Sequence, residues 1–189
     1  MTLNLAALAA ALCVLVAGCA ATPPAALPPV SEAALASGAL VHEVVVPASA
    51  DRVWAAFTTR QGLEGWMAAH ADIELRVGGL LRTHYDPAGR LGDPKTIENL
   101  VASYDPQRML TLRVHRAPEG FPFPGTVGQM WTVVYFAPEG PAATRVRTVS
   151  LGFTAETESQ AMRRFFDRGN AYTLRKLQEH FSGPAAADR

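Results

Sequence analysis

The longest periodic segment of the chain, Thr157 to Phe181, predicts an amphipathic helix. Large apolar side chains recur in it at intervals that place them on one helical face, namely at Met162, Phe166, Leu174, Leu177 and Phe181. Thr157 followed by Gln160 is a capping-box pattern at the start, and the sequence Ser182-Gly183-Pro184 marks the end. A helix with one broad apolar face needs a second layer, so we expect it to fill the concave side of a sheet.

Alternating apolar and polar positions before this helix predict a run of strands. The predicted strands cover residues 41–46, 73–77, 80–85, 96–104, 109–115, 129–137 and 144–153. Two short helices, residues 50–58 and 60–67, follow the first strand, and Ser49 stands at the N-cap position of the first helix. Gly78-Gly79 predicts a hairpin turn. The order of elements predicts an α+β domain with one antiparallel sheet and one long helix.

The same alternation predicts which side chains face the interior of the sheet. Arg82, His84, Glu98, Arg145 and Arg147 are expected to face water, which turns their neighbours inward. A mostly apolar cavity with a few polar groups is the usual form of a small-molecule site. The candidate ligand-binding residues on the strands are Tyr85, Asn99, Thr148, Ser150 and Trp131, although Trp131 suits either face, and Trp66 and Asn170 join them from the helices. The alternative is that each polar group is a core group with a backbone partner.

Two features allow both a packing and a functional interpretation. Gly169 and Asn170 lie in the middle of the long helix, where a glycine costs about 1 kcal/mol relative to alanine. The glycine either lets the helix pack closely on a strand or leaves space for a ligand, with the Asn170 amide facing it. Likewise, the Pro-punctuated loop 117–125 either packs Phe121 and Phe123 on the core or forms a lid over a pocket.

Composition excludes several classes of function. The 189 residues include 17 basic and 17 acidic side chains, so no basic field favours nucleic-acid binding. The five histidines have no partner at the spacing typical of metal ligands, and the sequence has neither a G-x-S-x-G motif nor a glycine-rich phosphate loop. We therefore predict no metal, no cofactor and no catalytic residue, and an enzyme is the less favoured class.

The N-terminal apolar run, residues 3–16, ends in Val16-Ala17-Gly18-Cys19 and resembles a bacterial lipoprotein signal peptide. The resemblance implies that residues 1–18 are the signal peptide and that Cys19 is lipidated. No Lys or Arg precedes the run, and the alternative is a transmembrane anchor, for which the run is short. Residues 19–39, rich in Pro and Ala, are then a tether to a domain spanning 40–183, followed by a disordered tail, 184–189. The expected location is the cell envelope, on the periplasmic face of the outer membrane.

The predicted domain resembles the START-like (SRPBCC) superfamily, nearest its AHSA-type group, named for activators of a heat-shock ATPase. The residues that carry the resemblance are the Ser49–Trp54 helix start, Leu63 to Trp66, Gly78-Gly79, Asp105-Pro106 with Leu110, and Gly169 with Leu174, Leu177 and Phe181. The resemblance implies a helix-grip fold, in which a curved antiparallel sheet wraps round the C-terminal helix and leaves a cavity between them. Many relatives have Trp after the helix glycine, where this chain has Asn170.

Members of this superfamily bind lipids, polyketides and other hydrophobic molecules, and some are enzymes. The resemblance therefore implies a lipid-anchored binding protein whose partners are a hydrophobic small molecule or lipid and, through its anchor, the membrane. Two alternatives remain: a cyclase or hydrolase that uses Tyr85 or His84 as acid or base in the same cavity, and an envelope interaction protein with a filled core. Oligomeric state is not predicted.

Overall fold

The computed structural model describes residues 26–183; the predicted signal peptide, Cys19, the first part of the tether and the C-terminal tail lie outside the described residues. The seven strands are β1 (Leu40–Val46), β2 (His70–Ile73), β3 (Leu80–His84), β4 (Ile97–Asp105), β5 (Met109–Arg116), β6 (Trp131–Pro138) and β7 (Thr144–Leu151). The α-helices are α1 (Glu32–Ala36), α2 (Ala50–Thr58), α3 (Arg60–Trp66) and α4 (Thr157–Ser182), and a 3-10 turn covers Val127–Gln129.

All seven strands form one antiparallel, curved sheet in the order β1-β7-β6-β5-β4-β3-β2. The first strand pairs with the last, and α4 follows β7 directly and packs on β1. This arrangement confirms the predicted helix-grip fold. In the described part of the chain, no helix combines the length and the apolar character needed to cross a bilayer.

The C-terminal half of α4 is part of the main core. Leu174, Leu177 and Phe181 are buried in one apolar cluster with side chains of β1, α2, β4, β5 and β7, among them Val46, Val53, Val101, Leu110 and Val146. Each such side chain contributes up to about 1.5–3 kcal/mol through burial. The N-terminal half of the helix belongs to a second cluster, in which Met162 packs with Leu40, Val127, Met130 and Phe153. The apolar face predicted from the spacing is therefore confirmed.

The α2–α3 pair is held by a very close backbone approach. A Cβ atom on Gly62 would lie 2.2 Å from the carbonyl oxygen of Ala55 and 2.6 Å from the Cα of Ala56, so only glycine fits there. The Thr59 side chain caps α3 by accepting a hydrogen bond from the Gly62 amide at 3.0 Å. The Trp66 indole N–H donates to the carbonyl of Ala56, also at 3.0 Å, which fixes this ring against α2.

Two local predictions are wrong. No strand forms over most of the predicted range 73–77. β2 covers His70–Ile73, and the residues after it form a turn that leaves Val77 64% exposed. The turn is tight because the amide of Gly79 donates to the carbonyl of Arg76. The capping box at Thr157 does not form. Glu156 is the N-cap residue of α4, and the Ser159 hydroxyl accepts a hydrogen bond from the Thr154 amide, which closes the turn before the helix.

Candidate ligand-binding site

A cavity of about 430 Å³ lies between α4 and the concave face of the sheet. One wall is the middle of α4, from Phe165 to Leu174, and the opposite wall consists of inward-facing residues of β3 to β7. The remaining sides come from α2, α3 and the segment between β5 and β6. The apolar wall residues include Phe57, Trp66, Met67, Leu81, Ile97, Leu112, Val114, Met130 and Val134. The cavity occupies the place that the helix-grip fold predicts for a ligand.

Among the described residues that line this cavity, none carries a charge. The polar members are neutral side chains: Thr83, Tyr85, Asn99, Thr132, Thr148, Asn170 and Thr173. Thr173 already donates its hydroxyl to the Gly169 carbonyl within the helix, at 2.9 Å. An apolar cavity with a few neutral hydrogen-bonding groups suits an apolar molecule and provides no electrostatic partner for an ionised one.

Gly169 lines the cavity, and the structure decides between the two interpretations of this residue. A Cβ atom built at this position meets no other atom within 4 Å, apart from the neighbouring turns of its own helix. Close packing of the helix on a strand would place strand atoms within that distance. The close-packing interpretation is therefore wrong, and the space above Gly169 belongs to the cavity.

Asn170 is held in place by a short chain of hydrogen bonds to the sheet. Its Nδ2 donates to the Ser150 hydroxyl at 3.0 Å, and that hydroxyl lies 3.4 Å from Oγ1 of Thr132. Ser150 is fully buried and stands opposite Thr132 in the β6–β7 pairing. These hydrogen bonds connect the middle of α4 to β7 and β6 and fix the orientation of the Asn170 amide at the cavity wall.

Thr148 differs from the other polar residues of the wall because its hydroxyl oxygen is buried without a hydrogen-bond partner in the described part of the chain. The residue is only 8% exposed. An unsatisfied buried hydroxyl costs about 1–3 kcal/mol. Most buried polar groups in proteins are paired, so this one marks a position where a partner is missing.

The structure brings together five of the predicted ligand-binding residues: Trp66, Tyr85, Asn99, Thr148 and Asn170 all line the cavity. Ser150 does not line the cavity, but it accepts the hydrogen bond from Asn170. Trp131, by contrast, does not line the cavity, so its prediction as a wall residue is corrected. Thr132 and Val134 face the cavity, so the alternation of the strand turns Trp131 to the other face, where it is 38% exposed and the Arg113 guanidinium lies 5.3 Å from the ring centre. That the five residues bind a ligand stays a prediction.

An aromatic cluster at one end of the cavity was not predicted as a unit. Phe121 from the 117–125 loop packs against Phe165 and Phe166 of α4, with ring centres 5.8 and 6.2 Å apart, and all three line the cavity. The loop is also joined to α4 by the Gly125 amide, which donates to a Glu158 carboxylate oxygen at 3.1 Å. The loop therefore both packs on the domain and closes part of the cavity. In the sequence, the adjacent phenylalanines Phe165 and Phe166 were the feature that could have indicated this cluster.

Comparison with known proteins identifies the domain. The family model described as "Activator of Hsp90 ATPase homolog 1-like protein" (AHSA1) matches residues 47–182. The chain belongs to the AHSA1 family. No curated protein matches the sequence.

Solved structures share the fold of this AHSA1 domain at low sequence identity. Protein MLL2253 from Mesorhizobium loti is 16% identical with a TM-score of 0.59, and the match covers 76% of this chain and 96% of that one. The Aha1 dimer from Colwellia psychrerythraea is 17% identical with a TM-score of 0.55, covering 75% and 93%. The di-domain ARO/CYC protein BexL from the BE-7585A biosynthetic pathway is 17% identical with a TM-score of 0.60, covering 77% and 48%. At such identities these similarities show the fold alone.

His84 of the AHSA1 domain does not face water as predicted. It is 1% exposed on the face of β3 opposite the cavity, where the loop after β3 covers it. Its Nε2 lies 2.9 Å from a carboxylate oxygen of Asp93, and a Cβ on Gly89 would lie 2.0 Å from the ring, so the loop rests directly on the imidazole. Although partial desolvation acts in the opposite direction, the amides of Arg90 and Lys95 and the neighbouring His84 hold the pKa of Asp93 below its usual value.

Tyr85 stands at the rim of the cavity and is 60% exposed. Partial desolvation raises the pKa of its phenol above the ordinary value of about 10, so the group is protonated at neutral pH. A protonated phenol donates hydrogen bonds but is no general base at that pH. Within the described residues, no three His, Cys, Asp or Glu side chains lie close enough together to hold a metal ion.

Proposed function

We propose that this AHSA1 domain binds a hydrophobic small molecule or lipid between its sheet and α4, and that the whole chain does so as a lipid-anchored protein of the cell envelope. The observation that carries the binding proposal is the cavity of about 430 Å³ with largely apolar walls. Ligand sites in proteins typically measure about 300–1,000 Å³ and have this apolar character. The domain therefore contains a cavity of ligand size beside Gly169 of its long helix.

The alternatives have less support. An interaction protein with a filled core needs no such cavity, because empty apolar space lowers stability. A cyclase or hydrolase needs an acid or base that reaches its substrate. His84 lies on the opposite face of the sheet, and the phenol of Tyr85 is protonated at neutral pH. Tyr85 can therefore serve only as a general acid, and no Asp, Glu or His is among the described residues that line the cavity to act as the base. BexL, an ARO/CYC protein, shares the fold.

The binding proposal is tested with N-phenyl-1-naphthylamine, an uncharged dye that fluoresces in apolar surroundings. We expect the wild-type protein to bind the dye and Asn170→Trp to lose this binding, because an indole at the cavity wall fills the space. Tyr172→Trp is the matched control, since Tyr172 lies on the exposed face of α4 and is 54% exposed. If Asn170→Trp keeps its circular dichroism spectrum and binds the dye as strongly as the wild type, the cavity is not the binding site.

The anchoring proposal rests on the sequence Val16-Ala17-Gly18-Cys19 and the Pro-rich segment that follows. Cells that express the full chain are labelled with a palmitate analogue. We expect Cys19→Ser to abolish the labelling and Cys13→Ser to leave it unchanged, because only Cys19 follows the small-residue motif. Equal labelling of Cys19→Ser and the wild type would refute the lipid anchor and, with it, the proposed location.

A further inference from the structure

We propose that the cavity selects uncharged apolar molecules that carry a hydroxyl or carbonyl oxygen, and that this oxygen pairs with Thr148. The inference rests on the proposed function, because it names the class of ligand that the same cavity binds. It separates neutral oxygenated ligands from fatty acids and other anionic amphiphiles by charge, and from pure hydrocarbons by the contact with Thr148.

The first argument concerns charge. No Lys, Arg, His, Asp or Glu is among the described residues that line the cavity. A carboxylate that enters such a space loses its hydration and gains no cation in return. The two exposed lining residues, Tyr85 and Phe165, are neutral as well. An anionic head group therefore has no electrostatic partner either inside the cavity or among these two exposed residues.

The second argument concerns Thr148. Its side chain lines the cavity, and its buried hydroxyl has no partner in the described part of the chain. Rotation by about 120° about χ1 moves the hydroxyl to the position that the methyl group held, so the hydroxyl can turn toward a molecule lying against the side chain. A threonine hydroxyl both donates and accepts. It therefore matches a carbonyl oxygen as acceptor or a ligand hydroxyl as donor.

Thr148 lies among mostly apolar residues of the cavity wall. Val134 stands opposite it in the β6–β7 pairing, and Leu112 and Val114 line the cavity from β5, the strand beyond β6. Asn170, across the cavity wall on α4, already uses one N–H on Ser150, at 3.0 Å, and is therefore oriented rather than free to turn. A ligand oxygen beside Thr148 meets its hydroxyl once this group has turned, while the rest of the ligand meets mostly apolar side chains.

The charge argument is tested with two dyes that share one skeleton. N-phenyl-1-naphthylamine is uncharged, and 8-anilino-1-naphthalenesulfonate is the same molecule with an added sulfonate. At pH 7.5 we expect the neutral dye to bind the wild-type protein at least tenfold more tightly than the sulfonate. Equal affinities overturn the selectivity while leaving the proposed binding function intact. No binding of either dye overturns both.

The role of Thr148 is tested by competition of three compounds of similar shape against the neutral dye: 2-naphthol, 2-methylnaphthalene and 2-naphthoate. The naphthoate should compete at least tenfold more weakly than the naphthol at pH 7.5. The ratio of the dissociation constant of 2-methylnaphthalene to that of 2-naphthol measures the preference for a hydroxyl, and it should fall at least threefold in Thr148→Val. A fourth compound, 2-acetylnaphthalene, shows whether a carbonyl is preferred to a hydroxyl.

Two variants control this experiment. Thr148→Ser keeps the hydroxyl and should keep the wild-type ratio, as should Thr111→Val, because Thr111 is also 8% exposed but lies outside the cavity. Thr148→Ala replaces the valine variant if that protein folds poorly. A naphthol preference that survives removal of the Thr148 hydroxyl overturns the assignment of Thr148, and a naphthoate that competes as well as naphthol overturns the ligand class.

Discussion

Gly169 and Gly62 both stand inside helices, but the structure predicts opposite effects of replacing them with alanine. Alanine favours a helix over glycine by about 1 kcal/mol. A methyl group at position 169 meets no atom within 4 Å beyond its own helix, so it introduces no clash. We expect Gly169→Ala to raise the free energy of unfolding by about 0.5–1 kcal/mol.

At position 62 the same methyl group would lie 2.2 Å from the carbonyl oxygen of Ala55. This oxygen belongs to the backbone of α2, so the clash is relieved only if α2 and α3 move apart. Overpacking typically costs about 1–3 kcal/mol, and a contact this short calls for the upper end of that range. After the gain in helix propensity, we expect Gly62→Ala to lower the free energy of unfolding by about 2 kcal/mol.

Urea unfolding followed by circular dichroism measures both variants against the wild type. Unchanged slopes of the transition would show that the shift in midpoint reports stability. A loss of stability greater than about 0.5 kcal/mol in Gly169→Ala would mean that α4 touches the sheet at this point. In that case the space attributed to the cavity would not exist, and the binding proposal would lose its structural basis.

Two further predictions concern the core and the loop after β3. Leu177→Ala should lower the free energy of unfolding by about 2–5 kcal/mol, because Leu177 is fully buried. Lys176→Ala is the control, since Lys176 is exposed on the same helix. A loss of less than about 1 kcal/mol for Leu177→Ala in urea unfolding would contradict the role of α4 in the core. Asp93→Asn should be less stable than the wild type near neutral pH, and the difference should shrink as the pH falls below about 4. The folded-state pKa of Asp93 is lowered, so its carboxylate stabilises the protein above the unfolded pKa and this contribution is lost on protonation. A difference that stays constant from neutral pH down to pH 3 in thermal or urea unfolding would show that the carboxylate charge is not involved.

Strand alternation predicted much of the cavity wall correctly. Tyr85, Asn99 and Thr148 were placed inward because charged residues alternate with them, and all three line the cavity. The rule works here because a strand that exposes one face to charged side chains must turn the other toward the core. It needs no knowledge of which strands pair with each other.

The same rule failed at His84 because it separates two faces but does not say whether a face is covered. His84 is on the face opposite the cavity, as predicted, yet the loop after β3 covers it through the contact of Gly89 with the ring. That contact joins positions five residues apart across a turn whose path the sequence does not reveal. Trp131 was ambiguous for a related reason, since a large apolar side chain at the first position of a strand packs well on either face.

The position of the cavity can be traced to a gap in the apolar stripe of α4. The stripe continues from Phe166 to Leu174, but the position between them, one turn from each, is Asn170, preceded by Gly169. Large side chains on both sides of this gap hold the helix at its full distance from the sheet, so the small residue leaves space rather than drawing the helix closer. The Asn170 amide does not fill that space because its hydrogen bond to Ser150 directs it toward β7. A break in helical periodicity that combines a small residue with a tethered polar one is therefore the sequence feature that corresponds to the cavity.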